Sequence, residues 1–198
     1  MMEAYTPNEP LAFPKAMTLE ECLELQRQLP HIRFEYLNGM VYENGIDNEM
    51  PGGSVRHENV CANFQYEVKK RLEDLPCQVF ATGLKLELPQ NQGYFYPDVM
   101  VMCPPPDDTA THPTLVAEVF SPSTSQYDIS TKKVIYLGIP SLRHLLFIDP
   151  QKVFIEHNYR YQADDIWKVE CFDDLSRDLY LHSWDMHIPI SRLYRFIF

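Results

Sequence analysis

Two runs in the middle of the chain are apolar without alternation, Val99-Met100-Val101-Met102 and Leu115-Val116-Ala117-Glu118-Val119-Phe120. Strands with one wet face alternate polar and apolar residues, so these unbroken runs predict strands buried on both faces. His144-Leu145-Leu146-Phe147-Ile148 has the same character. Val60, Phe64, Val68 and Leu72 recur at helical spacing and predict a long helix from Ser54 to about residue 75. Thr18 and Glu21 form a capping box for a shorter helix bearing Leu19, Cys22, Leu23 and Leu25. Residues 33–37 and 40–43 flank Asn38-Gly39, a strong signal for a two-residue β-hairpin. Val79, Ala81, Leu84, Leu86 and Leu88 predict one strand over 78–88, followed by a turn over 90–93. A helix is expected from Asp128, capped by that residue and stopped by Gly138. Residues 152–157 and 167–172 predict a further pair of strands. The apolar tail over 188–198 is expected either to pack on the core or to meet a second subunit.

The order is hairpin, long helix, strands, helix, strand and added strands, which predicts an α/β domain with a mixed sheet flanked by helices. Length favours a single domain over 1–198, with the proline-bearing residues 1–17 as a mobile or draped arm. An apolar fraction of 45% fits a globular chain. No run of eighteen apolar residues occurs, and the N-terminus lacks the basic and apolar regions of a secretory signal, so cytoplasmic location is the default expectation and no membrane is implied. The five cysteines are odd in number, widely spread and free of C-x-x-C spacing. They read as reduced, buried small residues rather than a zinc cluster or disulfide framework.

Candidate chemistry changes this picture at Glu118. An ionised carboxylate alone among Leu, Val, Ala and Phe costs several kcal/mol, about the price of burying any unpaired charge. Asp98 opens the other unbroken run, and a cation shared by the two would remove that cost. Hard divalent ions take such oxygen ligands. Four-residue spacing places Asp128, Lys132 and Tyr136 on one helical stripe, from which an ammonium can face the carboxylates.

These residues carry a resemblance. Pro97-Asp98, Glu118-Val-Phe-Ser-Pro-Ser-Thr124, Asp128-x-x-x-Lys132-x-x-x-Tyr136-x-Gly138 and Ile148-Asp149-Pro150 resemble the Uma-type restriction endonuclease family of the PD-(D/E)xK nuclease superfamily. Glu35-x-x-x-Gly39 and Ser54-x-x-His57 also fit, and the similarity runs from about residue 34 to 149. The superfamily pattern has lysine two positions after Glu118, where this chain has Phe120; the resemblance moves that role to Lys132.

The resemblance implies a restriction-endonuclease-like core and a homodimer. It also implies hydrolysis of nucleic acid, DNA in the first place, with one Mg2+ or Mn2+ on Asp98, Glu118 and the Val119 carbonyl. The ion would polarise the phosphodiester and activate water. Lys132 would orient that water or neutralise developing charge, with Glu35, His57, Asp128 and Tyr136 as supporting residues. A net charge of −11 argues against a broad nucleic-acid face, so weak, salt-sensitive binding is expected, with Lys69, Lys70, Lys132 and Lys133 as phosphate contacts. Residues 1–50 carry −6 of that charge and residues 51–150 only −3, which leaves room for a nuclease centre. The alternative is a binding or assembly protein that keeps the fold without hydrolysis. No glycine-rich phosphate loop, H-E-x-x-H pair or glycine-flanked nucleophilic serine is present.

Overall fold

The computed structural model describes residues 13–46, 54–81, 83–106, 108–120 and 126–198, with backbone alone for 44–46 and 126–129. In chain order the elements are β1 (Lys15–Ala16), α1 (Leu19–Gln28), β2 (Ile32–Leu37), β3 (Met40–Ile46), α2 (Val55–Arg71), β4 (Gln78–Ala81), β5 (Leu86–Glu87), β6 (Gly93–Phe95), β7 (Val99–Met102) and β8 (Leu115–Val119). They continue with α3 (Gln126–Leu137), β9 (His144–Asp149), β10 (Phe154–Tyr159), β11 (Lys168–Phe172), β12 (Asp178–Leu181), β13 (Met186–Pro189) and α4 (Ile190–Leu193). The chain divides into two compact units, 1–51 with 87–95, and 52–86 with 96–198. The arm over 1–12, the loop over 47–53 and the Ser121-Pro122-Ser123-Thr124 run lie outside the described residues. The described end of the expected arm is not loose, because Lys15–Ala16 pairs with β3.

The first unit is built on the β2–β3 hairpin. Asn38 and Gly39 both take positive φ, 46° and 87°, as a two-residue turn that follows strand twist requires. On its other edge β2 pairs with β6, and a Cβ on Gly93 would stand 2.0 Å from the Tyr36 carbonyl oxygen, so glycine alone fits there. The expected capping box closes α1, with Glu21 N–H donating to Thr18 Oγ1 at 3.2 Å and Thr18 N–H to Glu21 Oε2 at 2.8 Å.

The second unit holds a mixed six-stranded sheet in the order β11-β10-β9-β8-β7-β4. β8 and β9 are parallel and joined through α3; the other pairs are antiparallel. Ser54 caps α2, accepting from His57 N–H at 3.2 Å. The helix lays Val60, Phe64, Val68 and Leu72 into one core with Val99, Val101, Leu115, Ala117 and Val119. Strand alternation therefore sends Met100, Val116 and Glu118 to the opposite face. Beyond α3 the chain is fixed by Arg160, whose buried guanidinium donates to the carbonyls of Leu142 (3.0 Å), Ile139 (2.6 Å) and Pro140 (3.2 Å) and lies 4.5 Å from the Trp167 ring.

Several expectations are corrected. The strand predicted over 78–88 is two, β4 and β5, in different sheets, and Gly83 at φ 120° interrupts it. α3 begins at Gln126, so Asp128 is its third residue and not its cap. The cysteines are not all reduced: Cys77 and Cys103 form a disulfide, with Cα atoms 4.4 Å apart. They stand one step beyond the Gln78↔Met102 pair of an antiparallel ladder, a juxtaposition that spacing of 26 along the chain does not disclose. The tail packs on the core, with Ile188, Ile190, Leu193, Tyr194 and Ile197 buried and Phe196 and Phe198 exposed. The β12–β13 hairpin was not foreseen; Asp185 turns it at φ 49°.

One buried pair makes the fold acid-sensitive. His144 Nδ1 and His157 Nε2 lie 2.9 Å apart, and His144 Nε2 meets Ser183 Oγ at 3.0 Å. Burial, with repulsion from His182 and, for His144, Arg143, pushes His157 down to about 3 and His144 well below the usual imidazole range. The fold therefore favours the neutral rings. Their contribution is complete above about pH 6.5 and is lost as pH falls from there toward 3, at up to about 1.4 kcal/mol per pH unit per ring. Urea denaturation between pH 7 and 5 should show this loss, and His157→Gln should flatten it; an equal slope in the variant would contradict the assignment.

Candidate active site

The site forms where β7 begins and β8 ends. The β7–β8 register runs out to Val99↔Ala117; Asp98 lies in the bend just before β7 and Glu118 is the next residue of β8. Asp98 Oδ2 accepts the Val119 amide N–H at 2.8 Å, which ties the carboxylate to the end of the neighbouring strand. Its Oδ1 takes no hydrogen bond from the described residues.

From the first turn of α2, His57 approaches the same carboxylate, with Nε2 3.4 Å from Asp98 Oδ2. Burial alone would lower the His57 pKa. Hydrogen bonding and charge from Asp98, then from Glu58 at 3.2 Å from Nδ1, overcome it and hold the ring at about 9. The ring is therefore cationic at neutral pH.

Glu118 is held from the other side of the sheet. Tyr136, fully buried on α3, donates its hydroxyl to Glu118 Oε1 at 2.6 Å, and Lys132, one turn earlier, places Nζ 3.4 Å from the same oxygen. The four-residue stripe expected for Lys132 and Tyr136 thus reaches the carboxylate. It also corrects the burial argument: Glu118 already has a donor and a cation, so its burial does not by itself require a metal. The Asp128 side chain lies outside the described residues.

Phe120, in the position where the superfamily pattern has lysine, stacks on Phe147 with ring centroids 6.1 Å apart. Lys133, next to Lys132, pairs instead with Glu156 at 2.6 Å. Glu35 is buried on β2 in the first unit, whereas the site described here is built from the second unit. Sequence reasoning missed Cys61, whose Sγ lies 3.7 Å from His57 Nδ1. The available signal was its place four residues after His57, on the same helical stripe.

With this geometry the comparisons can be read. The model of the family described as "Uma2: Putative restriction endonuclease" matches residues 19–181. The chain belongs to the Uma2 family. Among relatives, uncharacterized protein slr1290 of Synechocystis sp. is 30% identical over 198 residues, covering 98% of each chain. Uncharacterized protein sll1609 of the same organism is 29% identical over 163 residues, 79% of this chain and 88% of that one. The crystal structure of a "putative nuclease belonging to DUF820" from Anabaena variabilis superposes with a TM-score of 0.68 at 18% identity, covering 92% of this chain and 99% of that one, and has the same fold.

The Tyr136 bond gives a direct prediction. A hydrogen bond to a charged acceptor contributes about 1.5–3 kcal/mol, so Tyr136→Phe should lower unfolding free energy by about that amount while Lys132 still faces Glu118. Urea denaturation checks it, and an unchanged midpoint and slope would contradict the bond.

Proposed function

We propose that the chain is a metal-dependent endonuclease that hydrolyses phosphodiester bonds of nucleic acid, DNA in the first place, with one Mg2+ or Mn2+ held by Asp98, Glu118 and the Val119 carbonyl. The observation that carries this reading is Asp98, tied to the end of β8 through the Val119 amide, at the same strand end as Glu118 with the Lys132 ammonium beside it. The donor set fits a hard ion, which takes carboxylate and carbonyl oxygens, and Asp98 Oδ1 takes no hydrogen bond among the described residues. When bound, the ion supplies Lewis-acid activation of the phosphodiester and a lowered pKa for water.

The remaining work belongs to the chain. The Val119 amide and His57 fix the orientation of Asp98, and Tyr136 fixes Glu118. Lys132 stands beside Glu118, able to offset negative charge that grows on the phosphoryl oxygens in the transition state. Phe120 has no such group to offer. Lys69 and Lys70 are exposed at the end of α2 and can meet phosphates away from the centre. With a net charge of −11, binding is weak and salt-sensitive. Exposed Phe196 and Phe198 leave a small apolar surface for a homodimer.

Plasmid cleavage and Mn2+ titration calorimetry test the reading together. Lys132→Ala should slow cleavage by about 100-fold or more, the scale of removing one transition-state donor, while Mn2+ affinity stays within a few-fold. Asp98→Ala should lose both. Lys133→Ala, which breaks only the partly exposed pair with Glu156, should keep both. Cleavage that survives Lys132→Ala, or equal loss in the two lysine variants, would refute the role given to Lys132. A wild-type protein that binds no divalent ion and cuts nothing would favour a binding protein on a retained nuclease fold.

A further inference from the structure

The first two turns of α2 carry a group that the nuclease reading does not use in full. His57 and Cys61 are four residues apart, so both side chains leave the helix on one stripe. Both are buried, each 7% exposed. Imidazole nitrogen, Cys61 Sγ and a carboxylate oxygen of Asp98 all lie within 4.8 Å of one another, the one such trio among the described residues. His57 Nδ1 is 3.7 Å from Cys61 Sγ, and His57 Nε2 is 3.4 Å from Asp98 Oδ2.

The two separations involve different ring nitrogens, and a single ion takes one of them; with one ligand atom from each residue the trio lies within 4.8 Å. With Zn–N near 2.0 Å, Zn–S near 2.3 Å and Zn–O near 2.1 Å, ligand atoms around one zinc stand about 3.3–3.6 Å apart. Binding draws the trio in from the 4.8 Å limit to those distances by side-chain rotation. The ligand types are equally informative. Mg2+ and Mn2+ are held by oxygen donors, whereas sulfur and imidazole nitrogen select softer ions of the zinc group. Three protein ligands leave a fourth position for water, as in zinc sites that are not closed.

We propose that His57, Cys61 and Asp98 form a second divalent site, selective for a thiophilic ion such as Zn2+ or Cd2+, that shares Asp98 with the Glu118 side of the centre. Binding replaces the Cys61 thiol proton by the ion and releases it to solvent. The His57 ring gives up the proton it shares with Asp98 and coordinates through nitrogen. Because one carboxylate serves both positions, a zinc-group ion draws Asp98 away from Glu118 and opposes occupation of the hard-ion position. This last consequence rests on the nuclease reading; the binding site itself does not.

Cadmium reports on the site without any activity measurement, since a thiolate ligand gives a ligand-to-metal charge-transfer band in the ultraviolet. Cys171 is exposed and could bind Cd2+ on its own, so the titration is made in a Cys171→Ser background. The expected result is one Cd2+ per chain with the thiolate band. Cys61→Ser should abolish the band, and His57→Gln should weaken binding by more than about tenfold, since even partners outside the ligand set change metal affinity on that scale. Circular dichroism establishes that the variants are folded, and His57→Gln keeps the test decisive if Cys61→Ser is not. Glu118→Gln should leave the Cd2+ band in place while weakening Mn2+ binding. No band in the Cys171→Ser protein, a band that survives Cys61→Ser, or a band that requires Glu118 would each overturn the proposal. Cd2+ binding with these dependences but no Mg2+- or Mn2+-dependent cleavage would leave the thiophilic site standing and remove the nuclease reading alone.

Discussion

The candidate centre depends on the register of β7 against β8. Because Val99 pairs with Ala117 in an antiparallel ladder, Asp98 and Glu118 come at the same end of the two strands. The Val119 amide then donates to Asp98 at 2.8 Å, so the strand end that positions Glu118 also orients its partner. A slip by one residue would turn every side chain of β8 to the opposite face, taking Glu118 to the α2 core and Ala117 and Val119 out of it. The hydrophobic core of α2 and the placement of the carboxylates are thus specified by the same pairing. That coupling explains why a polar centre can be held at the margin of an otherwise apolar sheet.

The two helices contribute from opposite faces and divide the electrostatic work. α2 brings His57 to Asp98, and α3 brings Lys132 and Tyr136 to Glu118. Each carboxylate therefore has its own cation, and neither depends on an ion for burial. The position two after Glu118 lies at the end of β8, where Phe120 stacks on Phe147 and extends the apolar packing. A lysine there would have to give up that contact. The helix that crosses from β8 to β9 supplies an ammonium at the same carboxylate without that sacrifice.

Much of this was legible because local patterns and tertiary structure agree. The Asn38-Gly39 turn, the Thr18 capping box, the Ser54 cap and the unbroken strands all follow from short-range rules. The spacing of Lys132 and Tyr136 foretold a shared face, and Tyr136 and Lys132 do meet the same oxygen. What escaped is non-local. Cys77 and Cys103 are joined by strand pairing across 26 residues, Lys133 is turned to Glu156 on another strand, and Arg160 gathers carbonyls from the loop after α3. Alternation over 78–88 concealed the break at Gly83 because both halves keep a strand pattern while joining different sheets. Cys61 is a different case: its signal lies in its spacing from His57 one turn away, not from the other cysteines.

The central claim is that Asp98 and Glu118 share one divalent ion across β7 and β8. Anomalous diffraction from crystals soaked in Mn2+ tests it most directly. The account predicts one strong peak within about 2.2 Å of a carboxylate oxygen of each residue, the range of such metal–oxygen bonds, with Lys132 near the centre but outside the ligand set. A peak bound by only one of the two carboxylates, or no peak at saturating Mn2+, would contradict it.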